Sequence, residues 1–179
     1  MKKQETDSVD LQTVKPQTIF WLQVTTKLKT FIFAISLFFI PFVLGGPQLA
    51  VGSIVNFFLI RAAAELPLSY AWPLIVVSSM ATFARGIMFG PFTIFMVYMI
   101  PAIRIGNFFL VYAVKYLQKR WLGILTWWAV KSVFLFWVAF LLFQSALLPK
   151  IFLTAMGIMQ FATVLIGGSA FLLLRKRLS

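Results

Sequence analysis

WLGILTWWAVKSVFLFWVAFLLFQSALL (residues 121–148) and IFLTAMGIMQFATVLIGGSAFLLL (residues 151–174), separated by Pro149-Lys150 and closed by Arg175-Lys176-Arg177, decide the fold. Lys131 is the only charge in the first run, and the second has none. A helix needs about 20 residues, at roughly 1.5 Å each, to cross the hydrocarbon of a bilayer. Both runs reach that length, so both read as membrane-spanning helices.

Moving toward the N-terminus, Lys119 and Arg120 end a fourth apolar segment that runs from Thr93 to Leu117 after a Gly90-Pro91 turn. A third covers Leu68 to Phe83 and closes at Arg85-Gly86, and a second covers Leu49 to Ala64 and stops at Glu65-Leu66-Pro67. The first runs from Thr30 to Leu44, ending at Gly45-Gly46-Pro47. These first three are short for a span, so they are expected to thin the bilayer, extend into the interface or pack inside the bundle. Residues 1–17 are polar and read as a loosely held tail. Ile19 to Val24, with Trp21 inside and Lys27 and Lys29 after it, reads as an interfacial piece. A cleaved signal peptide fits less well, because the polar stretch is too long for its n-region and no small-x-small site follows. The expected fold is an all-α integral membrane bundle of six transmembrane helices. Residues 1–29 form a polar cytoplasmic tail with an interfacial segment, and 30–179 the transmembrane domain.

Composition agrees. Apolar residues make up 61% of the chain and charged ones 11%, whereas a soluble surface needs about 25% charged residues. The net charge of +12 arises from four acids against sixteen bases, and the bases sit at segment ends. That placement is what membrane topology requires, so no nucleic-acid partner is expected. One set of ends carries Lys2, Lys3, Lys15, Lys27, Lys29, Arg61, Lys115, Lys119, Arg120, Arg175, Lys176 and Arg177, against Arg85 and Lys150 on the other. Twelve against two predicts that both termini are cytoplasmic.

The chain has no Cys and no His, which removes disulfides, zinc sites of the usual kind and Ser-His or Cys-His nucleophiles. Glu5, Asp7 and Asp10 lie in the tail, and Glu65 is the one acid beyond it. No two carboxylates can meet in the membrane for acid–base or two-metal work, and no phosphate-cradling loop is present. The chain is expected not to be an enzyme and to need no cofactor.

Polar residues inside the spans each need a partner, because unpaired polar groups in hydrocarbon are costly. Gln48 sits in the first outer loop, Asn56 about two turns into the second segment and Gln144 near the outer end of the fifth. Gln160 lies roughly 14 Å deep in the sixth, with Arg104 at similar depth in the fourth and Asn107 one turn beyond it. Hydrogen bonds between helices account for such residues equally well. Arg104 stands out, since no acid in the spans exists to pair with it; carbonyls such as that of Val97, freed by Pro101, the amides just named, or a bound anion or polar solute are the candidates. Lys131 reads as snorkelling toward the cytoplasmic side, Arg61 and Glu65 as an ion pair one turn apart. Gly167-Gly168, inside a helical run, reads as a close helix contact.

Three stretches together resemble a known family: Gly46-Pro47-Gln48, Gly52 and Val55-Asn56; Met99-Ile100-Pro101 and Gly106-Asn107; Met159-Gln160, Thr163 and Ile166-Gly167-Gly168. They resemble small bacterial substrate-binding S components of energy-coupling-factor transporters. The resemblance implies a six-helix membrane bundle that binds a micronutrient from outside and hands it inward against a transmembrane coupling subunit driven by two ATPase subunits. Two departures stand out: Ala34 is followed four residues on by Phe38, not by the second Ala of the family's docking pattern, and Arg104 stands where that pattern is apolar. The absence of His argues against nickel or cobalt. The expected function is thus a substrate-binding subunit taking a small neutral or anionic solute. Gln48, Asn56, Arg104 and Gln160 are its expected contacts, and Arg85 and Gln144 stand at the mouth. The alternatives are a structural or assembly protein without ligand and, less favoured for want of a coupling-ion site, a small channel or stand-alone transporter.

Overall fold

The computed structural model describes residues 16–44, 47–85, 95–117 and 121–178, which are nearly all helical. The helices are α1 (Pro16–Leu44), α2 (Gln48–Glu65), α3 (Leu68–Arg85), α4 (Met96–Leu117), α5 (Trp121–Gln144), α6 (Ile151–Met156) and α7 (Ile158–Leu178). The chain is an all-α, multi-pass membrane bundle. Five stretches are long and apolar enough to cross a bilayer: 17–44, 48–65, 97–117, 125–144 and 151–174, the last made of α6 and α7 together. In α3 the apolar run, Leu68–Ala81, is shorter.

Side-chain contacts fix the direction of each helix. Lys29 meets Glu65, and Phe33 meets Phe58, so α1 and α2 are antiparallel. Trp72, Ile75 and Val76 of α3 line one groove with Arg104, Ile105 and Phe108 of α4, and Tyr112 and Phe109 of α4 lie against Trp127 and Phe134 of α5, so α4 and α5 are antiparallel. In contrast α2 runs parallel to the last span: Gln48 reaches Ala155, Gly52 lies at Thr163 and Ser53 at Gly167. Because α4 and α5 are antiparallel spans and cancel in direction, a parallel α2 and last span require α3 to traverse the bundle as well.

The first span differs from the sequence expectation. The chain does not break between an interfacial piece and a helix starting at Thr30; α1 is one helix of 29 residues. Three of its threonines bond back to their own helix. Thr25 donates to the Trp21 carbonyl at 2.9 Å, Thr26 to Leu22 at 2.8 Å and Thr30 to Thr26 at 2.8 Å, so these three hydroxyls are satisfied within the helix. Residues 1–15 of the expected tail lie outside the described residues. Beyond residue 30, α1 buries Phe33 and Leu37 and turns Phe31, Ile32, Ile35 and Phe39 outward, as a lipid-facing helix does.

Two apolar clusters form the interior. One gathers Leu37, Leu59, Ile60, Leu66, Leu74, Leu110, Trp128 and Val164 near the ends where Lys29, Glu65 and Lys115 lie. The other gathers Met99, Ala102, Leu135, Ala139, Phe152 and Met156 toward the opposite ends of α4, α5 and α6. Polar side chains are concentrated between them.

Candidate functional site

Lys131 stands ten residues along the 24-residue α5, roughly 15 Å from its start at helical rise. It is 2% exposed. Gly106 of α4 makes room for its stem: a Cβ there would sit 3.3 Å from Lys131 Cγ. The Nζ donates to Asn56 Oδ1 at 2.8 Å, Asn56 Nδ2 donates to Thr163 Oγ1 at 3.1 Å, and that hydroxyl donates to the Gln160 carbonyl at 2.9 Å. The chain of bonds has one sense. Lysine has only donors, so it takes the amide oxygen of Asn56 and turns the amide nitrogen toward Thr163.

Beside this relay is a cavity of about 40 Å³. Gly52, Val55 and Asn56 of α2 line it with Ser78 and Ser79 of α3, Ile100, Ile103 and Asn107 of α4, Lys131, Met156 and Gln160. Ser78 and Ser79 both donate to the Ile75 carbonyl at 2.9 Å, which orients their oxygens. Asn56, Asn107, Ser78 and Ser79 are all buried. Counting about 1.5 Å per residue, Asn56 lies roughly 12 Å from Gln48, Ser79 9 Å from Arg85, Gln160 14 Å from Ile151 and Lys131 20 Å from Gln144. In the orientation that the Lys and Arg distribution predicts, the cavity therefore lies in the outer half and Lys131 forms its floor.

The last span is broken at this depth. Gly157, with φ −96° and ψ −101°, separates α6 from α7, and its N–H donates to the Leu153 carbonyl. Gln48 Nε2 caps the Ala155 carbonyl at 2.9 Å. Irregular backbone at membrane depth persists where protein covers it or it borders a polar cavity, and Met156 and Gln160 on either side of Gly157 do line the cavity. Below the break, α7 packs closely on α2. A Cβ on Gly167 would strike the Ser53 carbonyl and come within 2.9 Å of Phe57 N, and one on Gly168 would enter the Trp128 ring. The two glycines are a close helix contact, as expected.

Among the described residues Glu65 is the only acid. Arg61 holds it at 2.7 Å and Lys29 at 3.4 Å, at the end of α2 away from the cavity. Lys131 therefore has no carboxylate partner in the described bundle.

Of the residues singled out from sequence, Asn56 and Gln160 meet at the cavity, and Gln48 serves the helix break next to it. Gln144 is exposed at the end of α5. Arg85 ends α3, and its side chain lies outside the described residues. Arg104 faces elsewhere. It lies in an apolar groove of about 310 Å³ between α3 and α4, with Trp72, Ile75, Val76, Ile105 and Phe108, and its buried Nε has no hydrogen-bond partner. Asn107, one turn on, lines the cavity instead. The central base is Lys131, which does not snorkel; the signal was its position as the sole charge midway along a long apolar run.

No known protein family, curated protein or solved structure matches the chain.

Proposed function

We propose that the chain is the membrane-embedded substrate-binding subunit of an energy-coupling-factor type micronutrient importer in the bacterial cytoplasmic membrane, taking a small neutral or anionic solute from the outer side. The observation that carries this is the cavity lined by Lys131 and polar side chains and bordered by a broken helix, which the predicted orientation puts in the outer half. Interrupted helices near the midplane are where membrane transport proteins build solute sites. The stretches that carry the family resemblance also converge: Gly52, Asn56, Asn107 and Gln160 line the cavity, and Thr163 and Gly167 hold the α2–α7 seam beside it. A cavity of about 40 Å³ admits a few waters or a solute of that size; anything larger requires the helices around it to move. Energy would come from the coupling subunit and two ATPase subunits that the resemblance implies, since the chain has no nucleotide motif of its own.

A structural role is the second reading, favoured by the relay itself, in which Lys131, Asn56 and Thr163 tie three helices together. Native mass spectrometry of protein purified in mild detergent from its own membranes separates the two. The proposal predicts a bound small molecule that is absent from Lys131→Met while the variant stays folded, and co-purifying ATPase subunits. Protein that is empty, isolated alone, and unfolded by Lys131→Met would establish the structural role instead.

A further inference from the structure

We infer that the cavity takes a monoanion, a small carboxylate or an inorganic anion of similar size, held by the Lys131 ammonium. The inference rests on the solute-binding reading above and narrows its ligand class.

Charge comes first. The cavity is lined by one cation and no acid, and the one acid among the described residues is committed to Arg61 and Lys29 at the far end of α2. A buried charge without a partner is strongly unfavourable, and one anion removes that penalty. A cation would add to it. A dianion would leave one negative charge uncompensated at a depth where that again costs several kcal/mol.

The hydrogen-bond wiring points the same way. Asn56 uses its oxygen on Lys131 and its nitrogen on Thr163, so it positions the ammonium and offers the ligand little. An ammonium has three donors, and Asn56 accepts one. Asn107 and Gln160 line the same space, and each side-chain amide carries N–H donors beside a carbonyl acceptor. Ser78 and Ser79 give their protons to the Ile75 carbonyl, so the pull on an anionic acceptor comes from the ammonium, which has no carboxylate near it.

Size sets the upper bound. About 40 Å³ corresponds to about three water positions, enough for chloride, nitrate, formate or acetate and too small for a ring-bearing solute without helix movement. The Arg104 groove does not compete for this role, because apart from the guanidinium its lining is apolar and it opens between α3 and α4.

The test is calorimetric titration of the full-length detergent-purified protein with sodium nitrate and sodium acetate in a gluconate background, with sodium sulfate and neutral acetamide as comparisons. Saturable binding of nitrate or acetate is expected, weakened at least tenfold in Lys131→Met, with no binding of sulfate or acetamide. Should Lys131→Met not fold, Lys131→Gln keeps a donor for Asn56 without the charge and is expected to lose binding equally. Acetamide binding as well as acetate, or undiminished acetate binding in the uncharged variants, would overturn the anion inference and leave a neutral-solute site standing. Absence of any anion binding would also overturn it; the solute-binding reading falls too only if protein from native membranes carries no small molecule.

Discussion

Two glycine-to-alanine substitutions that look alike in sequence are expected to behave oppositely. Alanine in a helix is favoured over glycine by about 1 kcal/mol, so each change begins with that gain. At Gly106 the new methyl would meet Lys131 Cγ at 3.3 Å and Leu135 Cγ at 3.4 Å. Both belong to side chains that can move by a few tenths of an ångström, so Gly106→Ala is expected to be neutral or stabilising by up to about 1 kcal/mol. At Gly167 the methyl would strike the Ser53 carbonyl and sit 2.9 Å from Phe57 N, both backbone atoms of a packed helix. Overpacking costs about 1–3 kcal/mol, and backbone that cannot yield belongs at the upper end. The net loss for Gly167→Ala is therefore about 2 kcal/mol, a roughly thirtyfold shift toward unfolding. Asn56 Cβ would be 3.2 Å from the same methyl, so the bond to Lys131 is disturbed as well. Reversible unfolding of both variants in mixed micelles measures the difference. Equal stabilities, or a Gly167→Ala protein as stable as the parent, would refute the α2–α7 contact as described.

Three further outcomes are expected. Gln48→Leu removes the cap on the Ala155 carbonyl; as interhelical hydrogen bonds in membranes average about 0.6 kcal/mol and reach about 1.7, an unfolding titration should show a loss within that range. Glu65→Gln breaks pairs whose side chains are 30–55% exposed, so melting in low salt should drop by less than about 1 kcal/mol, and high salt should erase the difference. The chain has no cysteine, which makes single-cysteine labelling clean: Ser145→Cys should react with an impermeant maleimide on intact cells, and Lys27→Cys only after lysis. The reverse pattern would invert the orientation.

The spans were legible because lipid tolerates few charges, and Lys119-Arg120, Pro149-Lys150 and Arg175-Lys176-Arg177 mark where the chain leaves it. The start of α1 was not, since Lys27 and Lys29 after Trp21 read as the edge of the membrane, whereas the helix runs on through them and Thr25, Thr26 and Thr30 bond to its own backbone. The break at Gly157 was equally hidden: a lone glycine in an apolar run reads like any packing glycine until Gln48 is seen to cap the Ala155 carbonyl just before it. Of the candidate site, Asn56 and Gln160 could be read from depth and polarity. Arg104 and Lys131 could not be ranked that way, because both are single bases far from either end of their segments. What separates them is the direction each faces, Arg104 toward the α3–α4 groove and Lys131 toward α2, and that depends on helix rotation set by packing. Lys131 faces inward because Gly106 leaves space for its stem, a coincidence of two helices that neither segment shows alone.

The most direct measurement is a high-resolution experimental structure of the protein purified from its own membranes without exchange of bound solutes. Density is expected in the cavity among Asn56, Asn107, Gln160 and Lys131, larger than a water and within about 3 Å of Lys131 Nζ. A cavity closed by side chains, or filled only by separate waters while Lys131 and Asn56 hold the same bond, would contradict it.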